Sequence, residues 1–262
     1  MPNAASQVFK IVYIFIIMKI VVDGLIGAGK STQVDIIHKT LGVPIVKEPI
    51  EEWPLDLFYS DPKRWGFMTQ ISVLNSFVRY RDSDGIFERS PESTRRVFWK
   101  NLVDSGVVTP REDDIFQKLY ATLAWQPDVV ILIEKDPELC YQHIQKRQQE
   151  GDSGVTLEYL HKLKSYYDKF KKDKDVIVVN GNQSIDEVSN EILKKIDTIR
   201  WKTAVKSLPR RVPDASSGQK LMEPAQSTVE KSVQYVLNTF TRIEKYLAAH
   251  THFIWNAYSN GM

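Results

Sequence analysis

The chain has 262 residues, 42% of them hydrophobic and 26% charged, and a formal net charge of +2. This is an ordinary globular make-up that can bury a substantial core without staples. The near-neutral balance gives no bulk attraction to nucleic acid, so no nucleic-acid partner is expected, and one cysteine, Cys140, excludes an internal disulfide.

The first apolar stretch, Val8 to Val22, is interrupted by Lys10 and Lys19. It is shorter than the roughly 20 residues of a membrane span, and no cleavage or transit pattern accompanies it. Residues 1–17 read as an N-terminal extension, with no membrane span and a cytoplasmic rather than mitochondrial location. The five histidines form no HExxH or Cys/His cluster, so a structural zinc site is not expected.

Short apolar runs then alternate with helical spacing. The runs are Lys19–Val22, Pro44–Val46, Gly85–Phe87, Val129–Ile133 and Val176–Val179. Helical patterns cover about Lys30–Leu41, Gly66–Tyr80, Glu92–Asp104, Asp113–Trp125, Pro137–Gln149, Leu157–Lys171 and Ile185–Trp201. Alternation of this kind predicts an α/β fold, a parallel sheet with helices on both faces, over residues 18–201. Continuous β-branched runs such as VVILI suit strands buried on both sides. Residues 202–226, with Pro209, Pro213, Pro224 and Ser216–Ser217, read as a linker. In residues 227–262, Ser227 and Glu230 form a capping-box pattern. Val229, Val233, Val236, Phe240, Ile243 and Leu247 then make one apolar stripe, an amphipathic helix that packs on the core or meets a partner.

Residues 24–31, GLIGAGKS, match the G-x-x-x-x-G-K-[ST] phosphate loop and sit between the strand KIVV and a helix. Gly24, Gly27 and Gly29, with Ala28, allow the backbone to wrap phosphate oxygens, and the helix start adds a positive dipole end. Lys30 is expected to reach the outer phosphates, Ser31 to ligate Mg²⁺, and Thr32 to follow in the same cradle. The cofactors expected are therefore ATP and Mg²⁺. No NKxD-type base-reading motif for a GTPase appears.

In open α/β sheets, ligands bind at the carboxyl ends of the strands. The second strand ends in Lys47–Glu48–Pro49 and the third in Glu88–Arg89–Ser90. Two carboxylates and an arginine thus meet beside one triphosphate. Phosphoryl transfer needs a metal, charge clamps and a group that takes the attacking hydroxyl's proton. Glu48 is the candidate base, Glu88 a candidate metal ligand, and Arg89 a candidate clamp. Glu51 and Glu52 read as solvated turn carboxylates.

The order GxxGxGKST, EPxxxW, YxDPxxWxxxxQ, ERS and a lid helix followed by LEYL resembles the deoxyribonucleoside kinases over about Met18 to Asn182. That resemblance implies a five-stranded parallel sheet of order 2-3-1-4-5 and transfer of the ATP γ-phosphate to a deoxynucleoside 5′-hydroxyl. It implies Glu48 as base, Trp53 lining the sugar and base site, Tyr59 on the 3′-hydroxyl, and Gln70 on the base edge. Gln70, Val73 and Phe77 share one helical face, and Thr94, Phe98 and Leu102 share the next. Phe98 is placed to stack on a base. Phe77 and Thr94 stand where relatives that select cytosine or purines carry arginine and aspartate, which favours a pyrimidine, thymidine or deoxycytidine. The lid offers Arg147 and Lys146, with Gln149 where the family often has arginine. Asp152 takes the position of a sugar-binding glutamate, with Glu150 as its rival. A homodimer is a further implication. Two other readings stay open, a thymidylate-type monophosphate kinase and a weakly catalytic nucleotide-binding module whose tail helix recruits a partner.

Overall fold

The computed structural model describes residues 18–147, 149, 151, 152 and 154–207. The expected extension over residues 1–17, the linker from residue 208 on, the amphipathic tail helix and Glu150 lie outside the described residues.

Five parallel strands form one sheet in the order β2-β3-β1-β4-β5, as the resemblance implied. They are β1 (Lys19–Gly24), β2 (Ile45–Val46), β3 (Gly85–Glu88), β4 (Val129–Glu134) and β5 (Val176–Asn180). β1 lies between β3 and β4, with Val22 opposite both Glu88 and Ile131. Val21, Val22 and Ile131 are almost completely buried, as a sheet covered on both faces requires.

The helices are α1 (Lys30–Leu41), α2 (Leu55–Ser60), α3 (Pro62–Val78), α4 (residues 91–104), α5 (Pro110–Leu123), α6 (Pro137–Arg147), α7 (Leu157–Phe170) and α8 (Ile185–Ser207). Two of them begin earlier than their apolar periodicity suggests, and each has a cap that explains it. The Asp61 side chain accepts from the Arg64 amide ahead of Pro62, so α3 starts four residues before Gly66. Thr109 and Glu112 form a reciprocal capping box around Pro110, which starts α5 before Asp113. α8 runs to Ser207, beyond the expected Trp201, because Lys202–Ser207 contains no glycine or proline and the first breaker is Pro209.

α4 is not a regular helix throughout. Its middle, Thr94–Trp99, is a π-helical stretch with wider turns. The wider turns rotate the last residues of α4 about its axis. Thr94 and Phe98 face the cavity at the carboxyl ends of the strands, while Leu102 turns into a second core cluster with Trp99, Phe116 and Leu74. In that cluster the Trp99 and Phe116 rings stack 3.9 Å apart. Among the described residues, no helix is long and apolar enough to cross a membrane.

Candidate active site

The carboxyl ends of β1, β2 and β3 open into a cavity of about 360 Å³. Its phosphate end is the loop between β1 and α1. Gly27 has a φ of 81°, and a side chain there would place Cβ 2.5 Å from the Cys140 carbonyl of α6. Only glycine satisfies both conditions. His143 of α6 also contacts the Gly27 carbonyl, Nδ1 to O, at 3.1 Å, so α6 is seated directly on the loop. Gly27, Gly29, Lys30, Ser31 and Thr32 line the cavity, whereas Gly24 and Ala28 do not. Lys30 is buried, and its Nζ donates to the Leu25 carbonyl at 2.9 Å. Burial lowers its pKa, and the Arg89 cation lowers it further.

Three charged groups meet above the loop. The Ser31 hydroxyl donates to Glu88 Oε1 at 2.7 Å, which brings the two proposed metal ligands together. Arg89 Nε pairs with Glu48 Oε1 at 2.8 Å, with both side chains under one-tenth exposed. Burial lifts the Glu48 carboxyl to about 7, with the Arg89 cation the largest opposing influence. A carboxyl poised there can accept a proton near neutral pH. Arg89 has a φ of 61° and is the one non-glycine residue with positive φ among the described residues. Such a backbone costs about 1–3 kcal/mol and persists only where surroundings enforce it. Here they do. Its Nη1 donates to Asp23 Oδ1 at 3.0 Å and to the Tyr167 hydroxyl, and the guanidinium lies 4.8 Å from the Phe98 ring centroid.

The nucleoside end is built by α2, α3 and α4. The chain leaves Glu48 through Pro49 and a 3₁₀ turn, Ile50–Glu52, which returns Trp53 to the cavity wall. Trp53 is fixed by Nε1 donating to Ser76 Oγ at 3.1 Å. Tyr59, Gln70, Val73, Thr94 and Phe98 complete the wall. Gln70 Oε1 is buried and has no hydrogen-bond partner. Thr94 already spends its hydroxyl proton on the Ser90 carbonyl at 3.2 Å. Phe77 departs from expectation. Two turns along α3 from Gln70, it is fully buried behind the wall, against Trp53 and Trp125, and does not line the cavity.

The lid residues converge as well. Arg147 and Asp152 both line the cavity, and they pair with each other, Nε to Oδ2 at 2.7 Å and Nη2 to Oδ1 at 2.9 Å. Gln149 lines the same edge, and Lys146 is exposed. Gly154 packs so closely on α2 that an added Cβ would lie 2.1 Å from Tyr59 Cγ. Burial and the neighbouring Asp152 push the Tyr59 hydroxyl up to about 12.

Sequence reasoning did not find Asp23, Lys47, Tyr159 or Tyr167. Tyr159 belongs to LEYL and lines the cavity from α7, where its helical position alone could have flagged it. Lys47 lines the cavity beside Glu48 and pairs with Asp35 at 2.8 Å. Asp23 carried one unused signal, a charge inside an otherwise apolar buried strand.

The family model for deoxynucleoside kinases matches residues 20–200 of this chain. The chain belongs to the deoxynucleoside kinase family. The kinase is 31% identical over 198 residues to the deoxyadenosine kinase of Dictyostelium discoideum, covering 70% of this chain and 80% of that protein. It is 30% identical over 190 residues to the thymidine kinase of Ictalurid herpesvirus 1, covering 66% and 83%. A solved deoxyadenosine kinase from M. mycoides, described with the products dCMP and dCDP bound, superposes with a TM-score of 0.64. It is 28% identical and covers 70% of this chain and 100% of that one. The kinase is therefore a phosphotransferase acting on deoxynucleosides.

Proposed function

We propose that the kinase transfers the γ-phosphate of ATP to the 5′-hydroxyl of a pyrimidine deoxynucleoside, with Glu48 as the base. The observation that carries this reading is the convergence of Glu48, Arg89 and the Ser31–Glu88 pair above one phosphate loop. Glu48 takes the hydroxyl proton as the oxygen attacks phosphorus. Arg89, which lines the cavity, and Lys30 balance the charge on the moving phosphoryl group. The oxygen donors of Ser31 and Glu88 suit Mg²⁺, which would neutralise phosphate charge when bound. Among the described residues no cluster of three His, Cys, Asp or Glu exists, so phosphates and water would complete its shell.

The base reading rests on the uncharged wall of Gln70, Val73, Thr94 and Phe98. The unpartnered Gln70 Oε1 lacks a donor, and thymine N3–H or the cytosine amino group supplies one. The M. mycoides relative, described with dCMP bound, supports a pyrimidine. A purine is the second reading, because that same relative is described as a deoxyadenosine kinase and an amide also pairs with adenine. By resemblance the kinase works as a homodimer, and exposed Met68 on α3 offers apolar surface for one.

The test offers thymidine, deoxycytidine, deoxyadenosine, deoxyguanosine and dTMP with Mg²⁺ and ATP, and compares kcat/KM. Preference for either pyrimidine supports the reading; preference for deoxyadenosine moves it to the second. Transfer to dTMP alone would overturn it. Glu48→Gln should lower kcat by about 10²–10⁴-fold while ATP still binds.

A further inference from the structure

Asp23 and Tyr167 do not line the cavity, and neither can reach a substrate. Both are nonetheless polar groups in the interior. Asp23 is completely buried at the end of β1, and Tyr167 is buried on α7. One carboxylate oxygen, Asp23 Oδ1, accepts three hydrogen bonds, from Gly24 N at 2.7 Å, the Tyr167 hydroxyl at 2.7 Å and Arg89 Nη1 at 3.0 Å. The other, Oδ2, is buried with no partner. A buried charge is tolerated only when paired, and its pair here is Arg89.

From Arg89 the arrangement is asymmetric. Nη1 is held from behind by Asp23 and Tyr167, and Nε is held from the side by Glu48. Nη2 makes no hydrogen bond among the described residues, while Arg89 itself lines the cavity. Arg89 also has a left-handed backbone, a conformation that its surroundings must enforce.

We propose that Asp23 and Tyr167 are positioning residues for phosphoryl transfer, a buried counter-ion and its hydroxyl partner that keep Arg89 aimed while Glu48 changes charge. The proposal rests on the reading of Glu48 as the base. When the 5′-hydroxyl proton moves to Glu48, that carboxylate becomes neutral and its hold on Arg89 weakens. This is the moment at which the phosphoryl group most needs the cation. Asp23 takes no part in that proton transfer, because it does not line the cavity. Tyr167 ties the same pair to α7, the helix that follows the lid. Sequence separations of 66 residues to Arg89 and 144 to Tyr167 hide this cluster from any local motif.

The charged and titratable groups around Glu48 are Arg89 and Glu88 at the end of β3, Lys30 on α1, Asp23 on β1 and Tyr167 on α7. Removing the Asp23 charge takes away a repulsive neighbour and leaves Arg89 to Glu48 alone. Both changes favour ionised Glu48. In Asp23→Asn the acid limb of kcat/KM should therefore move to lower pH. Its kcat at the optimum should fall about 10–100-fold through a mis-aimed Arg89, with KM for ATP within about twofold of the parent. Tyr167→Phe should lower kcat about tenfold with both KM values retained.

The experiment measures kcat, KM and the pH profile of both variants beside Glu48→Gln, each checked for folding by thermal melting. Folded variants with parental kcat, or with a lower kcat accompanied by equally large rises in KM and an unmoved acid limb, would overturn the proposal. If Asp23→Asn does not fold, the kcat-against-KM split of Tyr167→Phe decides. An active Glu48→Gln would instead remove the reading of the base. An inactive Glu48→Gln beside normal Asp23→Asn and Tyr167→Phe would leave that reading intact and remove this inference alone.

Discussion

Glu48 should leave a mark on stability that needs no substrate to detect. Burial lifts its carboxyl from the ordinary 4.5 to about 7 in the folded protein. Between those values the folded state holds a proton that the unfolded chain has released. The stability contribution is therefore full below pH 4.5 and is lost as pH rises through 7. The difference, about 2.5 pH units, corresponds to about 3 kcal/mol. Glutamine at this position keeps the shape and cannot ionise, so Glu48→Gln deletes this one titration and leaves the other groups in place. Melting both proteins at intervals from pH 5 to 8.5 isolates the effect. The Tm of the variant minus that of the parent should grow by about 6–12 °C across the range. A difference that stays flat, or that narrows with rising pH, would refute the reasoning that burial outweighs Arg89 at Glu48.

The same ionisation should set the acid limb of kcat/KM near pH 7, read from initial rates in the presence of saturating ATP. Gly154→Ala drives a methyl group into the Tyr59 ring, where Cβ would sit 2.1 Å from Cγ. It should raise KM for the nucleoside about tenfold with ATP binding unchanged, as measured by steady-state kinetics and ATP titration. Phe77→Ala empties the space behind Trp53 and should cost about 3–5 kcal/mol in denaturant unfolding.

The fold was legible because its signals are local. Runs such as VVILI mark strands buried on both faces, and GLIGAGKS marks the turn between one strand and one helix. Glu48 and Glu88–Arg89 could be placed because each stands at or just past the end of a strand, and strand ends in a parallel sheet face one side. One residue moved for a reason that periodicity does not carry, while Leu102 packs in the core beyond the π-helical stretch of α4. Phe77 shares a face with Gln70 but stands about 10 Å further along the axis, past the end of the wall. The mutual pairing of Arg147 and Asp152 depends on a loop whose course no helical count predicts. The meeting of Asp23 with Tyr167 required tertiary structure, since 144 residues separate them along the chain.

Trp53 gives the molecule a consequence of another kind. Among the tryptophans with described side chains, Trp65, Trp99 and Trp125 do not line the cavity, while Trp53 does, with its indole nitrogen anchored on Ser76. Anything that stacks or hydrogen-bonds in the nucleoside half must change the surroundings of that one indole, while a ligand confined to the phosphate loop need not. The kinase thus carries its own optical probe for the acceptor half of the reaction, and its emission can separate the order in which the two substrates arrive.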